Sequence, residues 1–391
     1  MPDLLQSIQD LLITLASFVV VLSVVVFVHE FGHFQVARWR GVAIDTFSIG
    51  FGKTLIGWRD KQGVQWKVGA LPLGGYVKFA DDADAMSTAP REKIEDPVAL
   101  AEARAKGLFH AQPLTTRSMV VAAGPITNFI FSILAFATLA FVLGRDVASI
   151  NGVEPNSPAA AAGLQAGDVI QSIDGQRIDT FQDVQQVVTV SPGRTLSVVV
   201  LRSEQEVILQ LTPRAREDNP QLGSIGVSHD SSPGNREPIN PLAAVGVGAS
   251  NTWQIIAQTG SYIGGVFTGR ESGNQIAGPL GIINVSGQVA NSALSGGGDD
   301  VTWTDRLLML VLSLLNLAAV LSVAVGIVNL LPIPILDGGH LLFYAIEGAR
   351  GGKPLPPSAQ EWAYRAGFAV MASLFLFATW NDITRLFPGA Q

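Results

Sequence analysis

The residues best suited to chemistry form a His-Glu-x-x-His pattern, made by His29, Glu30 and His33. Residues four apart share one face of a helix, so the two imidazoles can bind the same metal ion. In this pattern the glutamate is not a ligand, and it can take a proton from a water molecule beside the metal. The spacing therefore predicts a zinc-type hydrolytic centre.

This candidate centre directly follows a long apolar stretch, because the eighteen residues Leu11–Val28 contain no charge. Ionisable groups are costly in lipid, so a cluster of them at the end of a membrane span favours a function. The alternative is an interfacial cluster whose two histidines lie among the lipid headgroups.

The third ligand must come from His, Asp or Glu, because the chain has no cysteine and zinc hydrolases use three protein ligands. Asp337 is the strongest candidate, since it follows 30 uncharged residues. Its alternative role is to cap a helix or to mark the lipid boundary. His340 lies three residues further on and could reach the same metal, whereas His110 and His229 are expected at the surface.

Composition indicates a membrane protein. Only 15% of the 391 residues are charged, against a usual quarter or so, and 48% are hydrophobic. The net charge of −7 gives no support to nucleic-acid binding. Four apolar segments are predicted to span the bilayer: Leu11–Val28, Ser118–Gly144, Leu307–Leu336 and Ala366–Asn381. A fifth uncharged stretch, Pro238–Gly269, carries many polar residues and is predicted to be an amphipathic helix on the membrane or on a neighbour.

Basic residues set the expected orientation. Twelve lie between positions 38 and 118, whereas the longer stretch 145–305 has eight, and six of the seven lysines fall in the first region. The first region should therefore be cytoplasmic, with both termini and 145–305 outside, in a periplasm. With four spans, His29 and Asp337 then lie at the same depth, near the cytoplasmic side, whereas a fifth span would separate them.

The predicted fold class is a polytopic α-helical membrane protein with four transmembrane helices, a re-entrant β-hairpin and a periplasmic mixed α/β domain. For the glycine-rich β segment, pattern alone leaves a re-entrant hairpin and a small soluble sheet equally open. The expected order is as follows: first transmembrane helix 1–40, β segment 41–80, cytosolic insert 81–117 with a short helix near Pro97–Lys106, second transmembrane helix 118–144, α/β domain 145–214, periplasmic linker with the amphipathic helix 215–305, third transmembrane helix 306–340, and cytosolic loop with the fourth helix 341–391.

Helix-breaking residues precede the candidate aspartate. Pro332 and Pro334 interrupt the third span and open backbone groups near the metal. Asn329 could hydrogen-bond the backbone of a substrate, or it could pack between helices. Asn128 has the same two interpretations, and packing is slightly favoured for it.

Two resemblances extend these interpretations. Residues 157–170, Ser-Pro-Ala-Ala-x-Ala-Gly-Leu-x-x-Gly-Asp-x-Ile, resemble the PDZ domains of bacterial envelope proteases in their circularly permuted form. Such domains take peptide ends by adding a strand, although this one could equally be a steric filter.

Almost the whole chain resembles the site-2 protease family of intramembrane metalloproteases, and within it the RseP-like group. That resemblance rests on segments shared from end to end: 29–33, 47–52, 71–78, 124–128, 278–282 and 329–338. The best-known members carry two PDZ domains, and one is found here.

The family resemblance implies roles for these residues. Zn²⁺ would be bound by His29, His33 and Asp337, with Glu30 as the catalytic base and acid. Substrate binding is implied for the following residues: Leu73, Gly74, Gly75, Tyr76, Asn329, Pro332 and Pro334. The implied substrates are single-span membrane proteins already trimmed outside, such as anti-sigma factors, or remnant signal peptides.

The implied location is the bacterial inner membrane, with the lipid bilayer as the other partner. A metal transporter and a membrane-tethered PDZ adaptor remain alternatives. The sequence gives no indication of the oligomeric state.

Overall fold

The computed structural model describes residues 2–80, 94, 96–216, 219–229, 236–274, 276–296 and 301–386. Within them ten α-helices occur: α1 Pro2–Trp39, α2 Pro97–Ala105, α3 Leu114–Leu143, α4 Pro158–Ala162, α5 Phe181–Thr189, α6 Pro241–Phe267, α7 Pro279–Ser295, α8 Trp303–Leu330, α9 Asp337–Ala349 and α10 Pro357–Leu386. A short 3₁₀ helix covers Phe109–Ala111. The strands are β1 Ile44–Arg59, β2 Gln65–Phe79, β3 Arg145–Asp146, β4 Gly152–Val153, β5 Val169–Ile173, β6 Gln176–Arg177, β7 Leu196–Arg202, β8 Gln205–Leu211, β9 Arg214–Ala215, β10 Gly223–Ser224, β11 Val227–Ser228 and β12 Arg236–Glu237.

The chain divides into two compact units. One combines Met1–Phe136 with Gly248–Gln391, and the other is Ala137–Val247. Part of the predicted insert, 81–93 with residue 95, lies outside the described residues, as do parts of the predicted linker: 217–218, 230–235, 275 and 297–300. The short helix predicted in the insert is confirmed as α2.

Four described helices are long and apolar enough to cross a membrane: Ser7–Trp39, Leu114–Leu143, Trp303–Leu330 and Pro357–Arg385. Each has 28 to 33 residues, whereas about 20 are enough for the hydrocarbon core. The four predicted spans are thereby confirmed. Helix α10, with 30 residues, is longer than the predicted fourth span Ala366–Asn381. Helix α6 is not among these four, in agreement with the rejection of a fifth span.

The third predicted span is not one continuous helix through position 340. Helix α8 ends at Leu330, and Asp337 begins the separate helix α9. Proline lacks an amide proton and clashes with the preceding turn, so Pro332 and Pro334 prevent the helix from continuing between them. Asp337 therefore lies at the amino end of the next helix rather than at the carboxyl end of the third span.

The predicted β segment forms a long hairpin that is bent into a sheet. Phe47 pairs with Val77 on one side and with Trp66 on the other, so β1 and β2 contribute two sheet segments each. The four segments therefore lie side by side in the sheet in the order 71–79, 44–51, 65–69 and 54–59. Gly50, at φ 85°, lies at the bend, where a Cβ would meet Leu71 O at 2.8 Å.

This hairpin packs on the carboxyl end of α1. Phe34 is 1% exposed and Phe47 is fully buried, and their ring centroids lie 5.2 Å apart. Trp66 packs against both rings. Packing of the two buried phenylalanines with the partly buried Trp66 fixes the sheet beside the helix that carries His29 and His33.

The second unit is a small α/β domain whose sheet has the antiparallel order β6-β5-β7-β8. Strands β7 and β8 form a hairpin, and helix α5 follows Thr180. Ser157 caps α4 by accepting a hydrogen bond from Ala160 N at 3.1 Å. Its core is aliphatic, with Val198 and Val200 fully buried at its centre.

Candidate metal centre

Three side chains bring their ligand atoms together in the first unit. His29 Nε2 lies 3.2 Å from His33 Nε2 and 3.2 Å from Asp337 Oδ2, and His33 Nε2 lies 3.3 Å from that oxygen. Tetrahedral zinc with bonds of about 2.0–2.1 Å holds its ligand atoms about 3.3 Å apart. Asp337 Oδ2 is also buried without a hydrogen-bond partner among the described residues, which leaves it available to a cation. The three residues therefore fit one zinc ion.

The break between α8 and α9 brings the aspartate to the histidines. His29 and His33 lie on successive turns of α1, whereas Asp337 is the first residue of α9. A Cβ at Gly338 would overlap the carbonyl oxygens of Leu330 and Leu331. Only glycine allows α9 to begin this close to the end of α8, which explains the Asp-Gly-Gly sequence.

Helix α3 supports the ring of His33. Nδ1 of His33 donates a hydrogen bond to Val120 O at 2.8 Å, which leaves the lone pair on Nε2 for a metal. A Cβ at Gly124 would overlap the His33 ring, so the close approach of the two helices requires glycine there. Pro125 lies inside α3 and lacks the amide proton that would bond to the carbonyl of Val121, the residue next to Val120.

The same helix contacts the other histidine through Asn128. This residue is fully buried, and its amide nitrogen lies 3.1 Å from His29 Nδ1. The sequence pattern slightly favours a packing role for Asn128, and this contact with His29 was not predicted. A signal was present, because Gly124 and Asn128 are four residues apart and share a helix face.

Glu30 faces the strand that closes the hairpin. A Cβ at Gly75 would lie 3.1 Å from Glu30 Cγ and 2.8 Å from Ser48 O. The strand thus passes directly over the glutamate, and glycine at position 75 permits that approach. At Gly74, φ is +149° and a Cβ would overlap the ring of Phe51.

A cavity of about 690 Å³ extends from the centre. His29, Glu30, His33 and Asp337 line it together with predicted substrate-binding residues Gly75, Tyr76 and Asn329. Pro332 and Pro334 are not among its lining residues, since they form the connection before α9, where Pro334 lies against Gly367. The side chain of Leu73 lies outside the described residues.

Polar and aromatic groups continue the cavity away from the metal ligands. Arg117 donates a hydrogen bond to Glu347 at 2.6 Å, and its guanidinium lies 4.9 Å from the centroid of the Tyr344 ring. Burial raises the pKa of Tyr344 well above its usual value, so its phenol stays neutral. His340 and His110 also line the cavity, although His110 was expected at the surface.

A membrane-spanning helical unit with a three-ligand centre and an adjacent glutamate defines a membrane-embedded metallohydrolase. The chain matches Peptidase family M50 over residues 17–374 and belongs to that family. It is accordingly a multi-pass zinc metalloprotease of the intramembrane, site-2 protease type.

Relatives are similar along nearly the whole chain. "Metalloprotease MmpA" of Caulobacter vibrioides is 40% identical over 96% of this chain and 96% of its own. A protein of Rhizobium meliloti with a provisional zinc metalloprotease name is 41% identical over 97% of this chain and 98% of its own. A similarly named protein of Agrobacterium fabrum is 43% identical over 94% of this chain and 95% of its own.

Solved structures match a smaller part. The PDZ domain of an SdrC-like protein from Listeria innocua is 23% identical over 22% of this chain and 99% of that one, with a TM-score of 0.20. A solution structure from Geobacillus thermodenitrificans is 30% identical over 21% and 95%, with a TM-score of 0.19.

Proposed function

We propose that His29, His33 and Asp337 hold the zinc ion and that Glu30 transfers protons during hydrolysis of a peptide bond within the membrane. The near-equal spacing of the three ligand atoms, 3.2 to 3.3 Å, carries this assignment. Zinc bound there supplies Lewis-acid polarisation of the scissile carbonyl and activation of water. Glu30 accepts the proton of the attacking water and returns it to the leaving amine.

The substrate binds in an extended form along the edge of the bent sheet. A transmembrane substrate arrives as a helix with its amides paired, so cleavage needs an unwound segment and new backbone partners. Segment 71–79 pairs with 44–51, and no other described strand pairs with its outer side. Its residues Gly75 and Tyr76 line the cavity beside the ligands. Strand addition at this edge would hold the scissile bond against Glu30.

The broken helix completes the binding surface. Asn329 lines the cavity from the last turn of α8 and offers its amide to the substrate backbone. The residues from Leu331 to Leu336 are not helical, and Ile335 and Leu336 among them line the cavity. The amides of Leu331, Ile333 and Leu336 already donate to nearby backbone carbonyls, so this connection keeps a fixed shape beside the substrate. Pro332 and Pro334 act indirectly by keeping this connection open.

The α/β unit is a circularly permuted PDZ domain that excludes substrates with large outer domains. The pattern at 157–170 and the small antiparallel sheet with α4 and α5 support this assignment. The substrates are single-span proteins that another protease has already trimmed, including anti-sigma factors and remnant signal peptides.

The α/β unit lies in the periplasm, and the zinc centre lies near the cytoplasmic side of the inner membrane, in agreement with the distribution of lysines. The β segment enters the membrane as a re-entrant hairpin.

Cleavage in bacterial membranes tests this proposal. Tagged single-span substrates with and without an outer domain would be co-expressed with the wild type or with Glu30→Gln, and the cut site would be mapped by mass spectrometry. We expect one cut inside the span, for the trimmed substrate and the wild type alone. Cleavage outside the span would contradict hydrolysis within the membrane. Equal cleavage of both substrates would contradict the exclusion of substrates with large outer domains.

A further inference from the structure

Asn128 is the buried polar residue of the centre to which the proposed mechanism assigns no role. It is fully buried on α3, and its side chain contacts His29 Nδ1 at 3.1 Å. The other amide atom, Oδ1, is buried without a hydrogen-bond partner among the described residues. A buried amide oxygen without a partner is unfavourable, because it has lost its hydrogen bonds to water.

Hydrogen bonds to the backbone carbonyl of Asn128 hold this residue in place. The carbonyl oxygen of Asn128 accepts hydrogen bonds from Ser132 Oγ at 3.0 Å and from Ser322 Oγ at 3.1 Å. Ser132 Oγ also lies 2.8 Å from Ala319 O. These contacts join α3 to α8 at the point where the side chain reaches His29 on α1.

The orientation of the amide decides which nitrogen of His29 can bind a metal. When Nδ2 faces the ring, Nδ1 has to accept, so the ring proton is on Nε2, the atom 3.2 Å from Asp337 Oδ2. When the amide is rotated by half a turn, it fills the same space, and Oδ1 accepts from Nδ1–H. That rotation gives Oδ1 a donor, moves Nδ2 to the place that Oδ1 left, and places the lone pair of the ring on Nε2, where it can bind a metal.

We propose that Asn128 is a positioning residue for the zinc centre, whose amide oxygen accepts a hydrogen bond from His29 Nδ1–H and so fixes the tautomer that binds metal through Nε2. Its role parallels that of Val120 O toward His33, so each imidazole has one acceptor on α3. The inference rests on the proposed assignment of His29 as a zinc ligand.

Zinc affinity of the purified full chain, measured by competition with a chromophoric chelator, tests this role. Asn128→Leu keeps the branching and the number of side-chain heavy atoms but removes the acceptor, and it should weaken zinc binding about 10–100-fold. Asn128→Asp restores an acceptor and should bind zinc at least as tightly as the wild type. Asn329→Leu makes the same change on α8, where no described hydrogen bond joins the residue to a ligand ring, and should leave affinity unchanged.

Two results would overturn the inference: wild-type affinity in Asn128→Leu, or equal losses in Asn128→Leu and Asn128→Asp. A loss of zinc affinity in His29→Gln with none in Asn128→Leu would overturn the positioning role alone, whereas no loss in His29→Gln would overturn the ligand assignment itself.

A second measurement needs no change at position 128. Nitrogen NMR of the zinc-loaded chain labelled at its five histidines should show His29 protonated on Nδ1, with His29→Gln for assignment. Protonation on Nε2 would refute the proposal.

Discussion

At the residue scale, the proposed zinc centre consists of three ligand atoms at nearly equal distances, and the two imidazoles each have a proposed acceptor on α3. Asp337 supplies the only carboxylate of the triad, and its Oδ2 lies 3.2 and 3.3 Å from the two imidazoles. Its charge offsets part of the charge of a bound dication. The ligand set can therefore be separated experimentally from the catalytic glutamate.

Asp337→Asn is predicted to lose zinc without losing the fold. The amide has nearly the same shape as the carboxylate, but its neutral oxygen is a much weaker zinc ligand. Affinity should fall by more than the roughly 10–100-fold that is typical when a supporting residue is removed. Metal analysis after dialysis against a chelator measures this loss, and added zinc should restore cleavage in the wild type only. Retention of zinc by Asp337→Asn would contradict the ligand assignment.

The proposed ligands could be chosen from the sequence, whereas the residues that support them could not. His29 and His33 follow from helical spacing, and Asp337 is exceptional as an acid after 30 uncharged residues. The contacts of Asn128 and Val120 depend on how closely α3 crosses α1. That distance is set by packing at Gly32 and Gly124, where a Cβ would meet atoms of the opposite helix.

At the element scale, the strand over Glu30 is the part of the fold that couples sheet geometry to catalysis. Gly75→Ala would place a methyl group 2.8 Å from Ser48 O and 3.1 Å from Glu30 Cγ, so the strand has to move away. A displacement of about 1 Å at a reacting group can cost about 100-fold in rate. Cleavage by Gly75→Ala should therefore fall by up to about 100-fold with zinc affinity unchanged. Gly260→Ala is the control for a change outside the site, since Gly260 lies within α6 without a positive φ and no atom lies within 4 Å of the added group. Full activity of Gly75→Ala would contradict the placement of this strand.

The α/β unit contains an ion pair that should make its stability depend on pH. Asp168 is fully buried and accepts hydrogen bonds from Arg202 Nε and Nη2, each at 2.7 Å. Burial alone would raise the pKa of Asp168, but the hydrogen bonds from Arg202 and Gln165 N lower it below its usual value. A depressed carboxyl pKa stabilises the folded state above the unfolded pKa of about 4, and this contribution is lost as pH falls.

Asp168→Asn should lower the unfolding free energy of this unit by about 3 kcal/mol at neutral pH, because one partner of a largely buried pair is removed. The variant should also lose less stability than the wild type on acidification. Proteolysis of the full chain in urea measures both effects. Arg177→Gln is the control, since its side chain is 79% exposed and its ion pair should contribute less than about 1 kcal/mol. Equal stability of Asp168→Asn and the wild type would contradict the role of the pair.

Element types were largely predictable, whereas their junctions were not. The four spans follow from uncharged length, and α5, β7 and β8 follow from periodicity. Pro332 and Pro334 indicated a break, but the sequence could not show that α9 would begin at Asp337. That start depends on the close contact of Gly338 with the carbonyl oxygens of Leu330 and Leu331.

At the scale of the whole molecule, the proposed orientation in the membrane can be tested directly, because the chain contains no cysteine. Arg177→Cys marks the α/β unit, and Lys106→Cys marks the end of α2; both positions are exposed. A membrane-impermeant maleimide should label position 177 in cells with a permeabilised outer membrane and position 106 only after lysis. The reverse pattern would contradict the orientation derived from basic residues.

The central claim is that one zinc centre, with Glu30 as its proton-transferring group, cleaves peptide bonds within the membrane. The most direct test measures zinc content and cleavage of one single-span substrate in the same preparations of purified wild type and Glu30→Gln. Because Glu30 is not a ligand in the proposed centre, both proteins should contain equal amounts of zinc, and only the wild type should cleave. Cleavage by Glu30→Gln, or loss of zinc from it, would contradict the account.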